Sequence, residues 1–351
     1  MSEKIDEKVV KKRNYMVDLC RFIAALMIML CHLDLIGLAQ YPTYMFVDFF
    51  FILSGYFTLN HFAKMKSAKK ADERGRIAAI YTVKKFIPFV PHLVLALLVA
   101  YTVRNKNLFL SGDFKGALLG FKDMIPELLL LPSSFIEKGY RELGPLWHLS
   151  ALLAVMPIFS YICQSKYRRP VMFVGLVFVY FFYSLQKTIS LFDPASAFMK
   201  CLACMFLGML VFDISNEIKQ MKLTRSKRIC LTVLELVFIL YAIWAAVRGV
   251  KPDRMQTVVY VAMHSIMLSG QSYTSGIKAP FLSWLGRLSM PLFIWHYAVG
   301  RALWFKIDDY SPRKLKVLFF GLSFLIAVLS DFIITRYAKW RIGKQKRQFE
   351  K

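Results

Sequence analysis

Residues 16–36 read MVDLCRFIAALMIMLCHLDLI, an apolar run that is interrupted by Asp18, Arg21, His32 and Asp34. An α-helix of about 20 such residues crosses the hydrocarbon core of a bilayer. Charged residues precede the run, as in a signal peptide, but the apolar stretch is too long for one and no small-residue cleavage site follows it. The run therefore predicts a first transmembrane helix that is retained.

The composition of the whole chain points to lipid in the same way. Of the 351 residues, 57% are hydrophobic, whereas a soluble domain has about 45–50% apolar residues. The net charge of +25 is compatible with nucleic-acid binding. However, the Lys and Arg residues cluster between the apolar runs and at the two ends of the chain, which favours loops that touch anionic lipid.

The apolar runs predict an all-α polytopic membrane protein with about ten transmembrane helices. The loops that would be cytoplasmic, if the N-terminus is inside, carry about twice as many Lys and Arg residues as the outer ones. Both termini are therefore expected to be cytoplasmic. The predicted spans are 17–38, 44–62, 86–103, 146–164, 170–187, 196–213, 229–247, 256–271, 280–300 and 315–337.

This reading divides the chain into a cytoplasmic basic tail at 1–16, a transmembrane domain at 17–337 and a second basic tail at 338–351. Within the long outer loop 104–145, the segment 117–131 is apolar at both ends but charged in its centre. We interpret it as an amphipathic or re-entrant piece on the outer face. A spanning helix is the alternative, and it would invert every later helix.

The six cysteines fall in or at the edges of the predicted spans. We interpret them as small apolar packing residues and expect no disulfide. Cys201 and Cys204 form a C-x-x-C pair, but no second pair accompanies it. The sequence therefore predicts no metal site.

Ionisable groups at membrane depth are costly, so they indicate function. Arg21 and His32 are separated by nearly three full helical turns, which places both on one face of the first helix, roughly 16 Å apart along its axis. Asp18 lies one turn from Arg21, where it can form an ion pair with it. The helix would thus present a cation near the inside and an imidazole near the outside.

His148 and His296 are predicted at the same outer depth as His32, and Arg287 at the same inner depth as Arg21. For His148, His296 and Arg287, a purely structural role is the alternative to a functional one. His148 beside Trp147 fits an interfacial aromatic anchor. His296 fits a packed histidine bonded to a backbone carbonyl, and Arg287 fits a side chain that reaches the inner headgroups.

The run FVDFFFILSGY at 46–56 opens the second predicted span. Asp48 lies near the outer end of this span, where its carboxylate could orient the imidazole of His32 and raise its basicity. The alternative role for Asp48 is a helix N-cap. Ser54 and Gly55 are expected to allow close contact between helices.

Together these motifs resemble the acyltransferase 3 family of membrane acyltransferases. The resemblance rests on Arg21 and His32 at their spacing, VDFFFILSG at 47–55, PLWHLSAL at 145–152 and LGRLSMPLFIWH at 285–296. These motifs occur in the family's order over nearly the whole chain. Each alone is weak, and the combination is specific.

The resemblance implies ten helices, cytoplasmic termini, and transfer of an acyl group, most often acetyl, from cytoplasmic acyl-CoA to an extracytoplasmic carbohydrate. It implies that His32 is catalytic and that Arg21 acts with it or at the donor site. One departure concerns the stretch TVKKFIP at 82–88, where the family often has two arginines. Lys84 and Lys85 keep the charge but lack the bidentate fork of Arg.

We therefore expect acyl-CoA, a donor substrate and not a bound cofactor, to place its phosphates near four basic side chains. The acceptor would be a cell-surface or lipid-linked glycan, at a bacterial plasma membrane. His32 would act as general base or as acyl carrier. The expected donor-site residues are Arg21, Lys84, Lys85 and Arg287, and the expected acceptor-side residues are Trp147, His148 and His296.

Two other functions fit a membrane protein with buried charges. One is a glycan or lipid flippase, although we find no inverted repeat. The other is a glycosyltransferase that uses a lipid-linked sugar and an acidic pair, for which Asp34 and Asp48 flank a suitable outer loop. Dependence of the activity on CoA distinguishes the three functions.

Overall fold

A computed structural model describes residues 13–39, 41, 43–65, 70–131, 143–185, 194–250 and 254–349. These residues form α-helices joined by loops and short 3₁₀ turns, and no strand occurs among them. The all-α prediction is confirmed. The helices are α1 (Tyr15–Cys31), α2 (Phe46–Phe62), α3 (Ala71–Phe86), α4 (Val90–Arg104), α5 (Lys106–Leu110), α6 (Phe114–Phe121), α7 (Ile125–Leu128), α8 (Trp147–Cys163), α9 (Arg168–Leu185), α10 (Pro194–Gln220), α11 (Arg225–Val247), α12 (Arg254–Ser269), α13 (Pro280–Trp304) and α14 (Pro312–Phe349).

Each predicted span overlaps a helix, but the first one extends beyond the end of α1 at Cys31 and the third one begins earlier than expected. Helices α3 and α4 are joined by the 3₁₀ turn Ile87–Phe89 into a helical stretch of 33 residues, Asp72–Arg104. The hydropathy of the sequence marks only the apolar half of this stretch. Proline is compatible with the first turn of a helix, so Pro88 and Pro91, each in the first turn of its element, do not end the helical stretch.

Within the described residues, five helical stretches are long and apolar enough to cross a membrane. The count of ten spans and the cytoplasmic termini therefore stay predictions. The predicted tail at 338–351 continues α14, which runs to Phe349. The five stretches are Asp72–Arg104, Gly144–Cys163, Ser196–Gln220, Arg225–Val247 and Pro312–Ala338.

The outer surfaces of these helices carry large apolar side chains. Val174 on α9, Leu240 on α11 and Val317 on α14 are each more than 60% exposed. Soluble monomers rarely expose large contiguous apolar surfaces. The exposed surface is therefore suited to lipid.

The segment 117–131 is too short to span. It contains the end of α6, the 3₁₀ turn Lys122–Met124 and α7. The eight residues of α6 extend about 12 Å, against a hydrocarbon core of about 30 Å. The Tyr101 hydroxyl of α4 donates a hydrogen bond to the Ala117 carbonyl of α6 and anchors the segment to the helix bundle. This arrangement fits an amphipathic or re-entrant piece.

Two glycines allow α2 and α10 to cross closely. A Cβ atom added at Gly55 of α2 would collide with the backbone of Met205 in α10, and one added at Gly208 of α10 would collide with the backbone of Ile52. The expected close contact at Gly55 is confirmed. Ser54 instead donates a hydrogen bond of 2.8 Å to the Phe50 carbonyl within its own helix.

A similar crossing joins α1 to α13. A Cβ atom added at Gly286 would lie 2.8 Å from the Cα atom of Asp18. This contact brings the N-terminal half of α1 against the N-terminal half of α13. Of these two helices, α1 carries Arg21 and ends at His32, and α13 carries Arg287 and His296.

Candidate active site

His32 is the residue at which α1 ends. Its backbone leaves the helical conformation (φ −111°, ψ 24°), and the chain continues as the 3₁₀ turn Leu33–Ile36. The His32 Nδ1 atom lies 2.9 Å from the carbonyl oxygen of Ile28. Because a carbonyl oxygen only accepts, Nδ1 carries the hydrogen and the lone pair is on Nε2. Among the described residues Nε2 has no hydrogen-bond partner.

His296 of α13 lies against His32. Its Nε2 atom is 3.4 Å from His32 Nδ1, and its Nδ1 atom is 3.3 Å from the Leu292 carbonyl oxygen. This carbonyl places the hydrogen of His296 on Nδ1, so His296 Nε2 is a second acceptor for His32 Nδ1–H. His296 therefore makes both the backbone-carbonyl bond that was expected of a packed histidine and a direct contact with the candidate base, His32.

Asp48 does not orient His32, so this prediction is wrong. Its Oδ1 atom is 2.9 Å from Nζ of Lys200 in α10, and both side chains are almost fully buried. No hydrogen bond joins Asp48 to His32 in the described part of the chain. The Ile28 carbonyl and His296 occupy the positions that the carboxylate was expected to take.

The N-cap alternative for Asp48 is also wrong, because Met45 is the N-cap residue of α2 and Asp48 lies inside the helix. Our sequence reading missed Lys200, although a lysine inside the predicted span 196–213 is itself a signal of function or pairing. The ion pair also weakens the glycosyltransferase alternative. Asp34 is exposed while Asp48 is neutralised in the core.

His148 is buried inside a cluster of aromatic side chains, so it is not an interfacial anchor. Its ring centroid lies 4.7 Å from that of Phe51 and 5.2 Å from that of Phe293. Neither ring nitrogen has a hydrogen-bond partner among the described residues. Phe293 also contacts His296, with ring centroids 6.0 Å apart. His148 is thus separated from the His32–His296 pair by one aromatic ring.

Trp147 is half-buried and packs against Phe51, with ring centroids 6.2 Å apart. The structure therefore brings His32 and His296 into direct contact and leaves Trp147 and His148 behind the phenylalanines. A role of these two residues on the acceptor side stays a prediction.

The N-terminal halves of α1 and α13 each carry an arginine. The predicted pair of Arg21 and Asp18 is present, with 3.8 Å between Nη1 and Oδ1. Asp18 binds Arg13 more closely, at 2.6 Å, and this hydrogen bond raises the pKa of the Arg13 guanidinium, which lies before the helix. Arg287 is 3.4 Å from Asp331 of α14 and is more than half exposed.

Lys84 and Lys85 lie at the C-terminal end of α3, and both are exposed. The Lys85 Nζ atom is 5.3 Å from the centroid of the Tyr81 ring. The role of Lys84 and Lys85 at a donor site stays a prediction.

Tyr297 and Arg301 are two further residues of the site that the sequence reading missed. The Tyr297 ring stands edge-on to the His32 ring, with centroids 5.8 Å apart. The Arg301 guanidinium lies 5.5 Å from the Tyr297 ring centroid. Tyr297 follows His296 by one residue, and Arg301 follows it by five. Their place on the same helix shortly after His296 was the sequence signal that could have identified them.

The described residues contain no cluster of three or more His, Cys, Asp or Glu side chains that could hold a metal ion. Cys20, Cys163, Cys201 and Cys204 are buried, as expected of packing residues. Cys230 is exposed, which departs from that expectation.

Comparison with known protein families gives a match over almost the whole chain. A family model described as an acyltransferase domain, Acyl_transf_3, matches residues 14–336. The match includes α1 with His32 and α13 with His296. No curated protein and no solved structure matches the chain.

Proposed function

Since this chain belongs to the acyltransferase 3 family, we propose that it transfers an acyl group, most often acetyl, from cytoplasmic acyl-CoA to a hydroxyl group of a cell-surface glycan or glycolipid. The observation that carries the proposal is the pair His32–His296. The carbonyl of Ile28 and the Nε2 atom of His296 face His32 Nδ1, which leaves His32 Nε2 as the base.

The chemistry follows from this tautomer. The acceptor hydroxyl gives its proton to His32 Nε2 while its oxygen attacks the carbonyl carbon of the thioester. The carbon–sulfur bond then breaks, and the CoA sulfur takes the proton from Nε2. A base of this kind accelerates a reaction by about 10²–10⁴-fold.

His296 assists as a positioning residue. When His32 gains a proton, its imidazolium carries positive charge that the Ile28 carbonyl and the His296 lone pair both stabilise. The same support would serve an acyl-imidazole formed at Nε2, so both mechanisms remain compatible with the geometry. Because His296 presents its Nε2 lone pair to His32 and its Nδ1 faces the Leu292 carbonyl, it is not placed to donate a hydrogen bond to an oxyanion.

The donor would approach from the opposite end of α1. Arg21 and Arg287 lie on the two helices that cross at Gly286, roughly three helical turns from His32 along α1. The phosphates of CoA favour such a basic region, and its slender arm can extend along the helices toward His32. Lys84 and Lys85 would add charge at the surface.

The direct test uses the purified protein in nanodiscs with acetyl-CoA and a glycan extract of the producing cells. Transfer of radiolabelled acetyl to the glycan fraction is measured for the wild type, for His32→Ala and for His61→Ala. His61 is an exposed histidine that stacks on Tyr81, so it is a matched control. We expect transfer by the wild type and His61→Ala only. Equal transfer by His32→Ala would contradict the assignment of the base.

A further inference from the structure

A groove of about 570 Å³ lies between α10 and α11, and α12 forms its floor. This volume is within the range of ligand-binding sites. Each wall is an apolar stripe on one face of its helix, as the spacing of three, four or seven residues requires. The walls include Leu207, Ile214 and Ile218 of α10 and Leu231, Leu234 and Phe238 of α11.

The groove lies between two helices that are suited to cross a membrane. Both α10 and α11 belong to the long apolar stretches described above. The distance along α10 from Ile218 to Leu207 is roughly 16 Å, about half of the hydrocarbon core. Val258 at the rim is 61% exposed, so the groove is open on its outer side. Its length therefore matches one acyl chain in one leaflet of the bilayer.

The side chains of α11 make their polar contacts on the side away from the groove. The Thr232 hydroxyl oxygen accepts a hydrogen bond of 2.9 Å from the Tyr273 amide, and the Thr274 hydroxyl donates one of 2.6 Å to Glu235. In the part of the chain that the structure describes, no side-chain hydrogen bond joins α11 to α10. The space between these two helices is therefore left for an apolar occupant.

The groove ends in positive charge at the loop between α10 and α11. Lys227 precedes Leu231 by one helical turn, so it lies on the same face of α11 as the apolar wall. Lys222 lies in the loop, four residues after Ile218. Both lysines are exposed. An occupant of the groove would therefore meet two ammonium groups at this end.

These charges are not neutralised by neighbouring acids. Residues 214–228 contain five basic residues and one acidic residue, Glu217. None of the five bases forms an ion pair with a described residue. The segments 219–224 and 270–279, which form the loops at this end, are described throughout. The end of the groove is thus complementary to an anion.

Gln271 holds the basic ends of α10 and α11 at one level. Its carbonyl oxygen accepts a hydrogen bond of 3.1 Å from Arg228 Nε, and its Nε2 amide donates one of 2.9 Å to the Lys219 carbonyl. The first turn of α11 contains no acidic residue, although the N-terminal end of a helix favours negative charge. A phosphate group at this level would therefore reduce the repulsion among the basic side chains.

We propose that the groove between α10 and α11 binds one anionic phospholipid, with an acyl chain between the two apolar walls and the phosphate beside Lys222 and Lys227. A free phosphate would leave the apolar walls uncovered. The ammonium group of a zwitterionic lipid would be repelled by the lysines. Basic segments next to a membrane attract anionic lipids of the cytoplasmic leaflet, where we expect this loop to lie. The inference goes beyond the proposed function and does not depend on it.

The test measures lipid binding to the delipidated full-length protein in a neutral detergent by native mass spectrometry. The probes are dioleoyl phosphatidylglycerol and dioleoyl phosphatidylcholine, which have the same acyl chains and differ in headgroup charge. We expect one molecule of the anionic lipid to bind at least about tenfold more tightly, because each basic residue beside an anionic headgroup contributes a factor of about five.

The charge of the site is tested with the double variant Lys222→Gln, Lys227→Gln. It should remove most of the preference and leave binding of phosphatidylcholine nearly unchanged. The control is Arg313→Gln, Lys316→Gln, which removes the same charge from two exposed residues at the start of α14. This control should keep the preference of the wild type.

The apolar part of the site is tested with Ala262→Leu, which adds bulk to the floor of the groove. It should weaken binding of both lipids. The control is Gly321→Leu on the open surface of α14, since no atom lies within 4 Å of a Cβ atom added there. Thermal unfolding without added lipid checks that each variant is folded, and the two exposed lysines provide the decisive variant if Ala262→Leu is not.

Equal affinity of the wild type for both lipids would overturn the proposal. So would a preference that survives in Lys222→Gln, Lys227→Gln, or one that is lost equally in the control at α14. Unchanged binding to a folded Ala262→Leu variant would show that the acyl chain does not occupy the groove. Displacement of phosphatidylglycerol by an equal concentration of soluble glycerophosphoglycerol would assign the lysines to a free phosphate ester and overturn the lipid site.

Discussion

The Nε2 atom of His296 lies 3.4 Å from the Nδ1 atom of His32 and joins α13 to the end of α1. The two residues are 264 positions apart, and the α1–α13 crossing at Gly286 brings their helices together. The contact places an acceptor behind the candidate base. This acceptor faces the ring nitrogen that a carboxylate faces in other histidine–acid pairs.

Replacing His296 should lower the rate of transfer without weakening binding of the donor. We expect His296→Phe to reduce kcat by about 10²-fold, because the His32 imidazolium loses one of two acceptors. His296→Gln retains an oxygen acceptor and should keep more activity. The measurement is kcat and KM for acetyl-CoA with both variants. An increase in KM at unchanged kcat would show that His296 serves binding instead.

The buried pair Asp48–Lys200 predicts a specific pattern of stability. Asp48→Asn leaves the Lys200 ammonium group without its charged partner and should cost about 3–5 kcal/mol. The double variant Asp48→Asn, Lys200→Met removes both charges and should recover most of this loss. Thermal unfolding in detergent measures the effect. A double variant as unstable as the sum of the single ones would show that the pair makes no net interaction.

The crossing of α2 and α10 should not tolerate a methyl group. Gly208→Ala forces a Cβ atom against the backbone of α2 and should cost about 1–3 kcal/mol by overpacking. Gly321→Ala is the control, since no atom lies within 4 Å of its added Cβ. Thermal unfolding of the two variants compares them directly. Equal midpoints would mean that the helices do not approach as closely as the structure indicates.

Arg21 should affect the donor through the phosphates of CoA. We expect Arg21→Gln to raise KM for acetyl-CoA about tenfold, as expected for the loss of a charge-assisted hydrogen bond. KM for acetyl-pantetheine, which lacks the nucleotide, should change little. The comparison of these two donors is the measurement, and Arg336→Gln, at an exposed arginine of α14, is the control. Equal increases for both donors would place Arg21 at the reacting centre.

The sequence predicted the elements better than the contacts between them. Apolar runs of about 20 residues identified the long helices because burial in lipid requires them. The spacing of Arg21 and His32 predicted both on one helix, because one helix fixes its own faces, and the structure places Arg21 in α1 and His32 at its C-cap. Asp48 was assigned to the wrong partner since its partner Lys200 comes from a distant helix, and no local periodicity encodes that packing. The start of α3 was missed because its first turns are polar.

The groove between α10 and α11 could not be predicted for the same reason. Its walls and floor come from α10, α11 and α12, and only the packing of these helices leaves a space between the two apolar stripes. Local spacing relates Tyr297 and Arg301 to each other but not to His32.

We propose His32 as the base of an acyl transfer to surface glycans. The most direct test extracts these glycans from cells that make the wild type, His32→Ala or His61→Ala at equal membrane levels, and quantifies ester-linked acyl groups by mass spectrometry. We expect acylation with the wild type and His61→Ala and none with His32→Ala. Unchanged acylation with His32→Ala would contradict it.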